Sequence, residues 1–205
     1  MCPTRRTPAQ ARSTIQWLRP VALLVITMAL LAATSGRSRA GISFAARFMS
    51  FGTGATPLSV ATADLSGDGK PDLVTANFSA NTVSVLLGDG DGTFRTKVDY
   101  GTGVHALSVA IADVSGDGKP DIVTANYSAN TTSVLLGNGD GTFGTKVDYG
   151  TGVGPYSVAI ADLNGDGKPD LVTANITPST VSVLLGNGDG TFGTKVDYGT
   201  GAGPG

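Results

Sequence analysis

The segment Gly101–Tyr149 reads GTGVHALSVAIADVSGDGKPDIVTANYSANTTSVLLGNGDGTFGTKVDY, and closely similar stretches occupy 52–100 and 150–198. Each copy has 49 residues without a gap, and the second and third copies are identical at 38 of these positions. A period of about 20–50 residues indicates a repeat architecture in which each copy is one structural unit. We therefore predict three full repeats, preceded at 41–51 by the lead strand of a partial unit and followed at 199–205 by the truncated start of a fourth.

Four strands are predicted in each copy. In the second copy they are Ser108–Ala112, Ile122–Asn126, Ser133–Leu136 and Thr142–Tyr149, the last following a tight turn at Asn138–Gly141. Val109 and Ile111 alternate with small residues along the first strand, and Ala110 and Ala112 would let neighbouring units pack closely. Four short strands in about 50 residues are typical of a β-propeller blade. A β-solenoid is the alternative, although its coils are usually shorter. The fold class is therefore all-β, and no amphipathic stretch of helical length follows residue 40.

A polar loop of nine residues separates the first two strands of every copy. It reads DLSGDGKPD at Asp64–Asp72, DVSGDGKPD at Asp113–Asp121 and DLNGDGKPD at Asp162–Asp170. Positions 1, 3, 5 and 9 carry side-chain oxygens, and a lysine backbone carbonyl falls at position 7. Calcium takes about six to eight hard oxygen ligands, whereas magnesium tolerates irregular cages poorly. Three carboxylates converging without a cation would repel one another, which favours a metal site over a plain turn.

Each loop therefore predicts one Ca²⁺ site, three in total. The predicted ligands are Asp64, Ser66, Asp68, Lys70, Asp72, Asp113, Ser115, Asp117, Lys119, Asp121, Asp162, Asn164, Asp166, Lys168 and Asp170. The loop is not an EF-hand, because position 12 is threonine in place of the bidentate glutamate and a strand follows in place of a helix. The turn at Asn138–Gly141 could be a second cation turn, but a plain hairpin turn is favoured.

These loops resemble the cation loops of FG-GAP repeats, which build the propeller of integrin alpha subunits. The whole unit, with SVAIAD before the loop and SVLLGNGDGTF after it, resembles bacterial VCBS repeats. The resemblance spans Gly52–Tyr198 and implies a secreted or cell-surface propeller used in adhesion or ligand binding, with an unidentified protein or carbohydrate ligand. Propellers hold about four to eight blades. Three copies therefore predict an incomplete ring that self-associates through open blade edges.

The first 40 residues have the layout of a secretory signal. Met1–Pro20 is basic, Val21–Ala33 is apolar, and Ser38-Arg39-Ala40 places small residues before a cleavage site. We predict a helical signal peptide at 1–40, with an uncleaved anchor as the alternative. The apolar run is shorter than the roughly 20 residues of a membrane span, so no span is expected after cleavage. The single cysteine, Cys2, lies in the signal, and the exported chain would have no disulfide.

Composition excludes several function classes. From Gly41 onward the chain has 8 basic residues against 16 aspartates, which excludes a basic nucleic-acid footprint. The same region has one histidine, no cysteine and no glutamate, so nothing forms a nucleophile–base pair. We therefore expect a non-catalytic protein. The alternative is a fragment of a secreted propeller enzyme that acts on polysaccharide. Tyr100, Tyr149 and Tyr198 close the three units, and core packing is favoured over sugar stacking for them.

Overall fold

The three repeats form three separate four-stranded antiparallel sheets. The computed structural model describes residues 49–201, and each sheet has its strands in chain order. Blade 1 contains β1 (Pro57–Ala63), β2 (Asp72–Asn77), β3 (Thr82–Leu86) and β4 (Val98–Gly101). Blade 2 contains β5 (Ala106–Ala112), β6 (Asp121–Asn126), β7 (Thr131–Leu135) and β8 (Val147–Gly150). Blade 3 contains β9 (Val153–Ala161), β10 (Asp170–Thr177), β11 (Thr180–Leu184) and β12 (Val196–Gly199).

This arrangement confirms the predicted all-β fold of propeller-like, four-stranded blades. Residues 49–201 contain no helix, and thus none that could cross a membrane. The predicted signal peptide at 1–40 and most of the predicted lead strand at 41–51 lie outside the described residues. Residues 49–51 are not part of a strand.

The fourth strand is shorter than predicted. Thr142–Tyr149 was expected to be extended throughout, but the ladder begins only at Val147. Phe143 instead forms an isolated antiparallel bridge with Gly137, which closes the turn between them. The third strand starts two residues earlier than predicted, at Thr131, and ends one residue earlier, at Leu135. Its last four residues are buried, whereas Leu136 is exposed.

Each blade has two different faces, because side chains alternate along its strands. We call the side that meets the following repeat the forward face and the side that meets the preceding repeat the back face. In blade 1 the forward face carries Val74, Ala76, Val83 and Val85, all buried. In blade 2 the back face carries Val109, Ile122, Leu135 and Phe143. These eight side chains form one apolar core between blades 1 and 2.

The second junction repeats the first. Val123, Ala125 and Val134 on the forward face of blade 2 pack with Val158, Leu171, Leu184 and Phe192 on the back face of blade 3. Ala110 and Ala112 also pack against this cluster, which confirms their predicted role in close blade packing. The chain therefore places its apolar cores between blades, so that no blade buries its hydrophobic surface alone.

The terminal aromatic of each unit completes the junction. The ring of Tyr100 meets the ring of Phe143 edge to face, with centroids 5.4 Å apart, and Tyr149 meets Phe192 in the same way at 5.3 Å. Such T-shaped pairs contribute beyond the area that they bury. Core packing is therefore the role of Tyr100 and Tyr149, as predicted. Tyr198, in contrast, is exposed.

A buried polar network ties the strands of each blade together. In blade 1 Thr75 donates to Asn77 Oδ1, and the Asn77 amide donates to Ser84 Oγ at 2.9 Å. Ser84 in turn donates to Asp99 at 2.6 Å, and Lys97 pairs with that carboxylate. The same network recurs in blades 2 and 3 around Asn126 and Asn175. Buried polar groups that are fully hydrogen-bonded specify one arrangement of the strands.

Candidate functional site

The first aspartate of each acidic loop organises the loop backbone. Asp64 Oδ1 accepts hydrogen bonds from the N–H groups of Gly67 at 2.8 Å and Asp68 at 3.2 Å, and Oδ2 accepts one from Gly69 at 2.8 Å. Gly67 and Gly69 have φ of 72° and 79°, which glycine adopts without steric cost. The same three contacts recur at the equivalent residues of the other loops, Asp113 and Asp162.

The last aspartate of the loop is buried and anchors it to the sheet. Asp72 Oδ2 accepts hydrogen bonds from the N–H groups of Leu65 at 2.9 Å and Ser66 at 3.2 Å. Its Oδ1 accepts one from Gly88 at 2.7 Å, just beyond the end of β3. A Cβ at Gly88 would stand 2.2 Å from the carbonyl oxygen of Pro71, so only glycine allows this approach. Asp121 repeats all three contacts, and Asp170 accepts from Leu163 and Gly186.

The central aspartate of the loop faces solvent. Asp68 Oδ1 accepts a hydrogen bond from the Lys70 N–H at 3.0 Å, and Oδ2 lies 3.3 Å from Lys70 Nζ. Asp117 makes the same two contacts with Lys119, and Asp166 accepts from the Lys168 N–H. In blades 1 and 2 the ammonium group of the loop lysine therefore partly neutralises this carboxylate.

The residues at position 3 contact their neighbours in all three loops, and the Ser66 side chain hydrogen-bonds with Asp68. Ser115 Oγ donates weakly to Asp113 Oδ1 at 3.4 Å, whereas Asn164 Oδ1 accepts a 2.9 Å hydrogen bond from the Asp166 N–H. Ser66 is half-buried beside Asp72. The side-chain oxygens at this position therefore lie within the loop, next to the carboxylates.

The fit of these loops to calcium rests on their donor chemistry. Carboxylate, hydroxyl, amide and carbonyl oxygens are the ligands that calcium takes. Within residues 49–201, however, no three acidic, histidine or cysteine side chains converge on a point that could hold a metal ion. Asp64 and Asp72 bond backbone amides, and Asp68 bonds Lys70. A cation would have to exchange some of these contacts for its own, and the predicted ligand set stays a prediction.

The electrostatics of the loop differ between its exposed and buried carboxyls. The hydrogen bond from the Lys119 N–H is the main cause that lowers the pKa of Asp117, and the equivalent bond from Lys70 lowers the pKa of Asp68. For Asp162 the Gly167 N–H has the largest lowering effect on the pKa. Burial instead raises the pKa of Asp121, against the hydrogen bonds that it accepts. The exposed carboxyls are therefore favoured in the charged form that a cation needs.

The acidic loops of blades 1 and 2 also contact the turn of the following blade, which the sequence did not predict. Gly141 N–H donates to the Leu65 carbonyl at 2.9 Å, and Gly190 N–H donates to the Val114 carbonyl at 3.1 Å. The turn itself is a hairpin turn, because Asn138 N–H donates to the Thr142 carbonyl. The acidic loop and the hairpin turn both recur with the 49-residue period in the sequence. Only the stacking of blades, however, brings the loop of one repeat to the turn of the next.

The sequence profile of the FG-GAP-like repeat matches this chain three times, over residues 64–124, 113–173 and 162–205. Together the matches cover more than half of the chain, and each one starts at the first aspartate of an acidic loop. The chain belongs to the FG-GAP-like repeat family. The family resemblance inferred from the loops is thereby confirmed. No curated protein matches the sequence.

Several solved structures are similar to these FG-GAP repeats. A functionally unknown protein from Desulfotomaculum acetoxidans is 21% identical, with a TM-score of 0.55 over 71% of this chain and 43% of that one. The Photorhabdus luminescens Tc holotoxin pore is 23% identical, with a TM-score of 0.43 over 69% of this chain and 7% of that one. The V. cholerae biofilm matrix protein Bap1 is 22% identical, with a TM-score of 0.35 over 68% of this chain and 28% of that one. The chain thus spans less than half the length of each.

Proposed function

We propose that this chain is an exported, non-catalytic repeat protein in which Ca²⁺ braces each FG-GAP blade, and that it binds a protein or carbohydrate ligand outside the cell or at its surface. The observation that carries the proposal is the recurrence of one oxygen-rich loop at the same place in three blades. The contacts of Asp64, Asp113 and Asp162 with their loop amides are the same to within 0.1 Å. Three equivalent cation sites follow from three equivalent loops.

The surroundings of the loops support a structural role for the ion. Leu65 and Val114, the second residues of their loops, are buried in the cores between blades. Their carbonyl groups accept the hydrogen bonds from the next blade. An ion that holds the loop would therefore also hold the junction, which matters in a chain whose exported part has no cysteine for a disulfide.

The residue types of the chain favour a binding role over catalysis. The single histidine, His105, stacks on Phe78 with ring centroids 4.1 Å apart, and its Nδ1 hydrogen-bonds with Ser128. His105 and Phe78 lie in loops at the opposite end of the sheets from the acidic loops. From residue 41 onward the chain has no second histidine, no cysteine and no glutamate, which are residue types that often serve as general acids and bases.

Export and ligand binding rest on the sequence. The basic, apolar and small-residue segments of 1–40 have the layout of a signal peptide. The resemblance to integrin alpha repeats supports adhesion or ligand binding outside the cell, and the excess of aspartate from residue 41 onward disfavours a nucleic-acid partner.

Titration calorimetry of the chelator-treated chain with CaCl₂ tests the calcium proposal. We expect three ions per chain, and two per chain for Asp117→Ala, because one loop loses a ligand. Asp140→Ala is the matched control, since Asp140 is an exposed aspartate of the same blade outside the acidic loop. It should keep three ions. Absence of calcium uptake by the unmodified chain would refute the proposal, and an equal loss in the two variants would refute the assignment of the loop as the site.

A further inference from the structure

Equivalent positions of the three forward faces differ sharply in exposure. Leu65 and Val114, which lie at blade junctions, are each 1% exposed, whereas Leu163 at the same position of blade 3 is 51% exposed. Val85 and Val134 are buried, but their equivalent Val183 is only half-buried. The forward face of blade 3 therefore has the composition of a blade junction without a blade of the described residues against it.

The back face of blade 1 shows the complementary difference. Val109 and Val158 are 8% and 7% exposed in the two junctions, but Val60 at the same position of blade 1 is 62% exposed. Gly141 and Gly190 lie so close to the preceding blade that an added Cβ would meet a leucine side chain of that blade at 2.7 Å. At Gly92, the equivalent residue of blade 1, an added Cβ would meet nothing within 4 Å.

We propose that these two surfaces are the two halves of one further blade junction, and that the chain self-associates head to tail by seating the back face of blade 1 from one copy on the forward face of blade 3 from another. The proposed contact repeats an interface that the fold already forms twice. The forward faces of blades 1 and 2 each bind the back face of an FG-GAP blade, and blade 3 carries the same residue pattern. Among residues 49–201, the back face that no blade covers is that of blade 1, and a second copy of the chain would present it.

The same equivalence predicts the contacts of the new junction. The Leu163 carbonyl would accept from the Gly92 N–H of the second copy, as Leu65 accepts from Gly141 and Val114 from Gly190. Leu163 and Val60 would both become buried. Because the two surfaces are different, the interface is heterologous, and it closes into a ring or continues into a filament according to the rotation between copies.

One aromatic ring competes with this association. Phe94 of blade 1 already meets the ring of Phe51 edge to face at 5.1 Å. Phe51 stands 49 residues before Tyr100, and so occupies the place that Tyr198 of another copy would take. Ser50 and Gly52 line Phe94 beside it, as Asp99 and Gly101 line Phe143, so the second copy would seat its forward face without the Tyr198 contact.

Sedimentation equilibrium of the chain and its variants tests the proposal. The unmodified chain should associate at micromolar concentration, and both Val60→Asp and Leu163→Asp should be monomeric. Val196→Asp is the matched control: Val196 shares the forward face of blade 3 and is about as exposed as Leu163, but its equivalents Val98 and Val147 stay exposed beside junctions that are already formed. It should associate as the unmodified chain does.

A mixing experiment separates head-to-tail from symmetric pairing. In an equimolar mixture, the intact blade 3 of Val60→Asp can bind the intact blade 1 of Leu163→Asp, so heterodimers should form although each variant alone is monomeric. Circular dichroism checks that each variant has the strand content of the unmodified chain. A monomeric unmodified chain, a mixture that remains monomeric, or equal disruption by Val196→Asp would overturn the proposal. The measurements are made with calcium and with chelator, so that a failure of calcium binding is seen separately.

Discussion

The Gly141 N–H donates a 2.9 Å hydrogen bond to the carbonyl of Leu65, and this single bond links the acidic loop of blade 1 to the hairpin turn of blade 2. The Leu65 side chain points into the core between the two blades and is fully buried there. The second position of the loop therefore serves both the loop and the junction. Any change at this residue tests whether the blades are stabilised mainly by one another.

Truncation of Leu65 should lower the stability of the fold, because the neighbouring blade covers this side chain. We predict that Leu65→Ala lowers the free energy of unfolding by about 2–5 kcal/mol, the range for a buried leucine. Leu163→Ala, at the equivalent exposed position of blade 3, should change it by less than about 0.5 kcal/mol. Urea unfolding followed by circular dichroism measures both, in the Val60→Asp background that keeps the chain monomeric. Equal costs at the two positions would contradict the importance of the junction.

In the absence of calcium, replacing a buried loop aspartate by asparagine should destabilise the fold more than replacing an exposed one. Asp121 is buried and accepts three backbone hydrogen bonds, so Asp121→Asn replaces an acceptor oxygen by a donor that faces N–H groups. We predict a loss of about 1–3 kcal/mol in the free energy of unfolding. Asp117→Asn, at an exposed position of the same loop, should cost clearly less, because solvent screens the interactions of a surface carboxylate.

The comparison is made in chelator by urea unfolding, with Asp140→Asn as a control outside the loop. A larger loss for Asp117→Asn than for Asp121→Asn would show that the exposed carboxylate holds the loop even without a cation.

Acid should destabilise the calcium-free chain. Hydrogen bonds lower the pKa of several exposed carboxyls below 3.8, which are Asp68, Asp91, Asp117, Asp140, Asp162 and Asp189. A carboxyl with a lowered folded-state pKa stabilises the fold above its unfolded pKa, and this contribution is lost as the pH falls through the folded value. Asp121, whose pKa is raised by burial, acts in the opposite direction.

The pKa values of Asp99 and Asp197 are lowered as well, so we expect the urea midpoint to fall as the pH is lowered from about 5 to about 2.5. Asp121→Asn removes the opposing group, and its midpoint should fall more steeply over the same range. A midpoint that rises on acidification would show that buried carboxyls such as Asp121 dominate.

The repeat period made most of the fold predictable. Three copies with the same 49-residue period predicted four strands per copy and hence the blade. The second and third copies share the alternation of small and apolar residues around Val109 and Ile111, and the first copy has Val60 and Thr62 at these positions. The predicted length of the fourth strand was wrong. Phe143 is a residue type common in strands, but here its ring packs across the junction onto Tyr100. Local pattern does not distinguish these two uses of an aromatic.

The site was predictable as a set of residues but not as an arrangement. The spacing of Asp64, Asp68 and Asp72 can be read from the sequence, and the glycines between them indicate a sharply bent loop. That Asp72 turns inward to the Gly88 N–H depends on where β3 ends, 16 residues later. The contact between Leu65 and Gly141 depends on the stacking of two blades, which no single repeat contains.

Export should remove the first 40 residues. N-terminal sequencing of the protein recovered from the culture medium of an expressing bacterial host should begin at or near Gly41, because Ser38-Arg39-Ala40 supplies small residues at the cleavage site. Ala40→Arg should block cleavage and retain the chain with the cells. Recovery of the unmodified chain with Met1 intact in the cytosol would contradict export.

Thermal unfolding in chelator and in calcium tests most directly whether calcium braces the fold. A site with a dissociation constant of about 10⁻⁴–10⁻³ M gains on the order of 1 kcal/mol in millimolar calcium. Three sites then raise the Tm by on the order of 10 °C. We predict that a chelator lowers the Tm by this amount, that CaCl₂ restores it, and that MgCl₂ restores much less. A Tm that is the same in chelator and in calcium would show that Asp64–Asp72 and its two counterparts are turns that bind no ion.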